Sequence, residues 1–200
     1  HMGTCTDEML QRYSVINRGY WDRLETGELT REQVMLGRFH EFFESEGLPT
    51  DQVKVFNDEY QIRLGDKAFF CDHGDELVKQ LKATVKQYAV TNGTTVAQER
   101  KLRFSGLDQL LDGVFISEQV GVDKPQKAFF DAVWNEIGSY APDEVVIVGD
   151  SLTSDIRGGK NAGILTCWYN PDHLPNKIEV TPDCTIDNLQ DILSYLDESR

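Results

Sequence analysis

From residue 74 onward the chain repeats one pattern, a stretch of helical character followed by a short apolar run of strand type. Segment 74–83 leads to "QYAVTNG", 95–105 to "GVFISE", 125–137 to "EVVIVGD" and 155–162 to "GILTCWYN". A short strand near Thr185 and Ile186, then a helix from about Leu189, complete the series. Repeated units of this length specify α/β architecture, a doubly wound (Rossmann-like) parallel sheet whose right-handed crossovers place helices on both faces. Pro125 suits the first turn of its helix, where a missing N–H costs nothing.

Residues 6–70 follow a different rule and read as helical throughout. Thr6 precedes Asp7 and Glu8, which suit a helix N-terminus, and Tyr13, Ile16 and Tyr20 recur at helical spacing until Gly27. Thr30 and Gln33 form a capping box ahead of Val34, Phe39, Phe42 and Phe43, and Gly47 with Pro49 stop that run. A third helix is expected over about Asp51 to Leu64, ended by Gly65. The aromatic residues read as the core between these helices, and Phe43 or Tyr60 could instead stack on a ligand.

Composition limits what such a fold can do. Two hundred residues with 40% hydrophobic content suit one compact core with room for a smaller subdomain. The net charge of −14 argues against a sequence-independent grip on nucleic acid or on an anionic membrane, both of which need basic surface. No apolar run reaches the roughly 18 residues of a membrane span, and no signal peptide is evident. The expectation is a cytoplasmic protein, with His1 and Met2 read as an expression scar. Cys5, Cys71, Cys167 and Cys184 are scattered without a Cys-x-x-Cys pair, so the pattern indicates neither a zinc site nor a redox site.

Three polar clusters fall at the ends of successive expected strands: Thr91, Asn92 and Gly93; then Lys124; then Asp150 and Asp155. In an open parallel sheet that edge is where ligands bind. Each cluster alone has an ordinary reading, as a turn, a solvated lysine, or a helix N-cap with a loop acid. Together they form a chemical set. A hydroxyl and backbone amides bind phosphoryl oxygens, an ammonium neutralises charge, and two carboxylates can hold Mg²⁺, which prefers oxygen ligands and keeps several waters. Gly158 and Gly159 read as sites of close helix packing, and "GGKNAG" lacks the Gly-x-Gly-x-x-Gly spacing of a dinucleotide site.

"VTNGT" at 90–94, "GVDKPQKAFF" at 121–130 and "VIVGDSLTSDIRGGKNAG" at 146–163 resemble motifs two, three and four of the haloacid dehalogenase (HAD) superfamily. The similarity is nearest to the bacterial pyrimidine 5′-nucleotidase group and covers almost the whole chain. It implies a helical cap over 6–70 and an α/β core over 71–200, with 1–5 as a truncated entry to the cap. It also implies a Mg²⁺-dependent phosphatase acting on a small phosphorylated metabolite, a nucleoside monophosphate. Thr91 would hydrogen-bond the phosphoryl group, Asn92 and Gly93 would lend amides, and Lys124 would neutralise charge. Asp150 would bind Mg²⁺, and Asp155 would bind it or orient its shell. Chemistry in that family runs through an aspartyl phosphate.

The chain departs from the family where that chemistry starts. Motif one, an apolar strand followed by Asp-x-Asp-x-Thr, would precede the first cap helix, where only "HMGTC" stands. Asp72 and Asp75, or Asp183 and Asp187, have the wrong spacing and place, and read as loops. The expectation is an N-terminally shortened form, inactive as it stands and short of a central strand between those ending at Thr91 and Asp150. A second copy could fill that gap by exchanging an element, giving a dimer.

Two other functions compete. "GDSL" at 149–152 spells a serine-esterase signature, with Ser151 as nucleophile and His173 as base, but the Asp-x-x-His expected near the end is absent because position 170 is Asn. A non-catalytic phospho-ligand or protein-binding module would keep the phosphate-holding groups and need no nucleophile.

Overall fold

The computed structural model describes residues 4–138 and 140–198, so His1 and Met2, read above as an expression scar, lie outside the described residues. The chain divides into two compact units, one up to Leu64 and one from Gly65.

The first unit is helical, with α1 (Asp7–Glu25), α2 (Arg31–Ser45) and α3 (Val53–Gly65). Its helix starts follow the sequence signals. Thr6 Oγ1 accepts from Met9 N at 3.3 Å. The Thr30 box is closed in both directions, with Gln33 N donating to Thr30 Oγ1 at 3.3 Å and Thr30 N to Gln33 Oε1 at 2.8 Å. Gly47 follows α2 with φ +66°, a conformation that favours glycine, and a single 3₁₀ turn at Thr50–Gln52 leads into α3. Phe39, Phe42, Phe43 and Val53 form the buried centre, against which Tyr13, Phe56 and Tyr60 pack. Phe43 is enclosed, which removes it as a stacking face for a ligand, and Tyr60 is half-buried.

The second unit carries the strands. Its elements are α4 (Gly74–Leu81), β1 (Tyr88–Thr91), α5 (Thr95–Ser105), β2 (Gly113–Ile116), α6 (Ser117–Val120), α7 (Lys127–Ile137), β3 (Val146–Gly149), α8 (Arg157–Ala162), β4 (Leu165–Tyr169), β5 (Cys184–Ile186) and α9 (Ile192–Glu198). All strand pairings are parallel: β1 with β2, and β3 with β4 with β5, in two separate sheets. Among the described residues no strand pairs with the remaining edge of β1 or of β3.

Adjacent strand residues point to opposite faces, and the core follows that alternation. Ile147 joins Phe129, Phe130, Val133 and Ile164 in one cluster, while its neighbour Val146 packs with Leu77, Cys167, Ile186 and Ile192 in another. Each fully buried Phe or Ile contributes about 1.5–3 kcal/mol. The glycine pair of α8 permits the expected close packing. A Cβ on Gly158 would lie 2.8 Å from the Phe130 ring, and one on Gly159 would lie 2.5 Å from Ile147 Cγ2.

Two helix starts beside the strand ends differ from the sequence reading, and α4 ends at Leu81 rather than at 83. The helix expected from Pro125 starts at Lys127, because Gln126 has extended backbone and serves as its N-cap, which leaves Pro125 outside the first turn. The helix expected from Asp155 starts at Arg157, preceded by a wide π turn over Leu152–Ile156 whose N-cap is Ser151. Asp155 is therefore inside the turn rather than capping it. Among the described residues no helix is long and apolar enough to cross a membrane.

Candidate active site at the strand ends

Thr91 ends β1, Lys124 follows β2 and α6, and Asp150 follows β3, and it is the Lys124 side chain that links the ends of the two sheets. Lys124 is the hub. Its Nζ donates to Val90 O at 2.8 Å and to Asp155 Oδ1 at 2.6 Å, with side chains only 6% and 11% exposed. Its peptide is held as firmly: Asn92 Nδ2 donates to Lys124 O and Lys124 N donates to Asn92 Oδ1, both at 2.9 Å. A buried ion pair pays several kcal/mol of desolvation per ion, and only good geometry with further hydrogen bonds offsets that cost. Both conditions are met here.

Asp155 reaches back from the π turn because Ser151 N donates to its Oδ2 at 3.1 Å and because Gly149 has no side chain. A Cβ on Gly149 would stand 2.3 Å from Asp155 Cγ. Thr91 Oγ1 accepts from Gly93 N at 3.1 Å, which leaves the hydroxyl proton as a donor. Asp150 is exposed. Its backbone oxygen accepts from Trp168 Nε1 at 3.0 Å, and its carboxylate makes no hydrogen bond or ion pair among the described residues.

The oxygen chemistry can be tested against Mg²⁺. Asp150 offers an open carboxylate, whereas both oxygens of Asp155 are engaged. Among the described residues no group of three or more His, Cys, Asp or Glu side chains could hold an ion. The set fits an ion that takes one carboxylate from the protein and fills its shell with water and substrate oxygens, which is the habit of Mg²⁺.

Sequence reading missed the Val90 carbonyl, the Ser151 amide and the Asn92 side chain as partners of this cluster. A backbone carbonyl carries no residue-type signal, and Asn92 reads as a turn residue until the fold sets it beside Lys124. The esterase constellation does not form: Ser151 Oγ accepts from Ser154 N at 3.0 Å and lies 3.1 Å from Thr153 Oγ1, while His173 Nε2 sits 3.5 Å from Asp187. The remaining acids have structural partners. Asp72 accepts from Tyr169 Oη and Leu189 N, Asp75 from Lys79, and Asp183 from Lys160 and Thr166. The Tyr169 hydroxyl, donating to Asp72, is pushed up to about 12.

Residues 4–163 match the family model described as haloacid dehalogenase-like hydrolase. The HAD-hydrolase YfnB of Bacillus subtilis is 35% identical over 191 residues, spanning 96% of this chain and 81% of that protein. The pyrimidine 5′-nucleotidase PynA of Streptococcus pneumoniae is 34% identical, spanning 94% and 79%. The pyrimidine 5′-nucleotidase YjjG of Escherichia coli is 31% identical, spanning 96% and 84%. The crystal structure of YfnB bound to magnesium superposes with a TM-score of 0.91 at 34% identity, covering 98% of this chain and 85% of that one.

Proposed function

This chain belongs to the haloacid dehalogenase-like hydrolases, and from that premise we propose that its strand-end cluster is the charge-holding half of a Mg²⁺-dependent pyrimidine nucleoside 5′-monophosphatase. The observation that carries the reading is Lys124, a buried ammonium fixed at head and backbone, which joins the end of β1, where Thr91 stands, to the turn after β3, where the open carboxylate of Asp150 stands.

In this reading the Thr91 proton and the amide of Asn92 orient the phosphoryl oxygens, the Gly93 amide positions the Thr91 hydroxyl instead, and Lys124 neutralises the phosphoryl charge. Asp155 holds the ammonium in place. Asp150 would hold Mg²⁺, which when bound supplies further compensation of phosphoryl charge. The family reaction uses a carboxylate oxygen to attack phosphorus as the ester P–O bond breaks. A second carboxylic acid protonates the leaving oxygen, and water then releases phosphate from the acyl phosphate. No Asp-x-Asp pair of this chain stands at the strand ends, so the reading assigns the chain as given phosphate binding with little or no turnover. The non-catalytic alternative coincides with that state. The edges of β1 and β3 that pair with no strand among the described residues also support a second copy lending a strand, which would appear as a concentration-dependent dimer in light scattering.

The test is phosphate release from UMP and dTMP, with and without Mg²⁺, by this chain and by a form given an apolar Asp-x-Asp-x-Thr strand ahead of residue 4. Mg²⁺-dependent turnover by the extended form alone is expected. Metal-independent turnover, or none from either form, overturns the reading.

A further inference from the structure

Trp168 lies on β4 between two strands, in register with Gly149 of β3 on one side and Thr185 of β5 on the other. It is buried, and its indole, which can only donate, gives its Nε1–H to Asp150 O at 3.0 Å. That oxygen belongs to the peptide joining Asp150 to Ser151. The N–H of the same peptide donates to Asp155 Oδ2 at 3.1 Å, and the other oxygen of that carboxylate holds the Lys124 ammonium. One peptide unit is thus gripped at both ends, by a side chain of β4 and by the acid of the π turn.

A buried indole N–H takes a partner in most folds, so the hydrogen bond by itself has a structural reading. The choice of carbonyl says more. A peptide is planar, so fixing its oxygen and its N–H fixes the plane and, with it, the backbone on the C-terminal side of Asp150. On the N-terminal side Gly149 is the last residue of β3, paired with Trp168 itself. Both flanks of Asp150 are therefore set, although the residue is exposed and its carboxylate makes no hydrogen bond or ion pair among the described residues. The backbone that carries this open carboxylate is held by two buried side chains, Trp168 and Asp155. A ligand aimed in advance leaves less ordering for an ion to impose when it binds.

We propose that Trp168 is a positioning residue that, through the Asp150–Ser151 peptide, sets the direction of the Asp150 carboxylate for a divalent cation. The inference rests on the Mg²⁺ reading of Asp150 above and adds the side chain that prepares that ligand.

The experiment is an NMR titration of the ¹⁵N-labelled chain with MgCl₂ at constant ionic strength, well below the melting temperature, for the wild type, Trp168→Phe, Trp134→Phe and Asp150→Asn. Trp21, Trp134 and Trp168 are the three tryptophans, so single Phe substitutions at 21 and 134 assign the Trp168 indole signal even without a variant at 168. In the wild type the Ser151 amide and the Trp168 indole N–H are expected to shift together with Mg²⁺. Trp168→Phe should bind Mg²⁺ about tenfold more weakly, as for other partners of metal-ligating groups. Trp134→Phe, which packs in the cluster of Phe129 and Ile147, should bind as the wild type does. Undiminished affinity in Trp168→Phe overturns the proposal. So does a wild type in which Mg²⁺ moves the Ser151 amide and leaves the indole signal unmoved, and that reading decides the matter if Trp168→Phe fails to fold. A wild type with no response to Mg²⁺, or Asp150→Asn binding it equally well, overturns the Mg²⁺ reading of Asp150 itself.

Discussion

Lys124 Nζ lies 2.6 Å from Asp155 Oδ1 and 2.8 Å from the carbonyl of Val90, so one ammonium ties the end of β1 to the turn that follows β3. Two chain segments that share no strand pairing are joined through this side chain.

Removing one partner strands the other as an uncompensated buried charge. Lys124→Met should therefore lower stability by about 3–5 kcal/mol in urea unfolding. Adding Asp155→Asn to it should recover part of the loss, with a coupling energy of about 0.5–3 kcal/mol. Strict additivity of the two substitutions would show that the pair does not interact.

Gly149→Ala tests the approach of Asp155. The new Cβ would lie 2.5 Å from Asp155 Cβ as well as 2.3 Å from Cγ, so rotation of the carboxylate alone cannot relieve the clash. The π turn must shift, at a cost of about 1–3 kcal/mol. Inorganic phosphate affinity should fall with it. A variant matching the wild type in both measurements would contradict the packing at Gly149.

Asp183 supplies a pH dependence. Desolvation pushes its carboxyl up, but the Lys160 ammonium and the Thr166 hydroxyl and amide outweigh this and hold it below its usual range. A folded-state value below the unfolded one, about 3.9, gives stability that is present above that pH and lost as the pH falls through the folded value. Asp183→Asn should therefore be less stable than the wild type at neutral pH, and the difference should shrink on acidification. A constant difference between pH 7 and pH 3 would show that the ion pair and hydrogen bonds contribute nothing through charge.

Thr30→Ala removes the Oγ1 acceptor of the Gln33 amide and leaves the backbone half of the capping box, Thr30 N to Gln33 Oε1, able to form. The expected loss is about 1 kcal/mol, with faster amide exchange in the first turn of α2 and little change in the strand-bearing unit.

Much of this molecule is legible in its sequence because the signals are local. The Thr30–Gln33 box, Thr6 before α1 and the 95–105 helix depend on residues three or four apart, and α5 runs from Thr95 to Ser105 as the spacing specifies. The alternation of helix and apolar run specifies the α/β class in the same way. Local signals failed where the chain's course depends on a distant partner. Pro125 has the chemistry of a first helical residue, yet Gln126 is the N-cap and α7 starts two residues later. Asp155 has the chemistry of an N-cap, yet Lys124, 31 residues away, holds it inside a π turn. The role of the Asn92 side chain in fixing Lys124 has no sequence signature. Sequence determined which groups were available and on which elements; only tertiary packing decided which were buried together, because burial removes water and makes each polar group's partner a matter of contact across the fold.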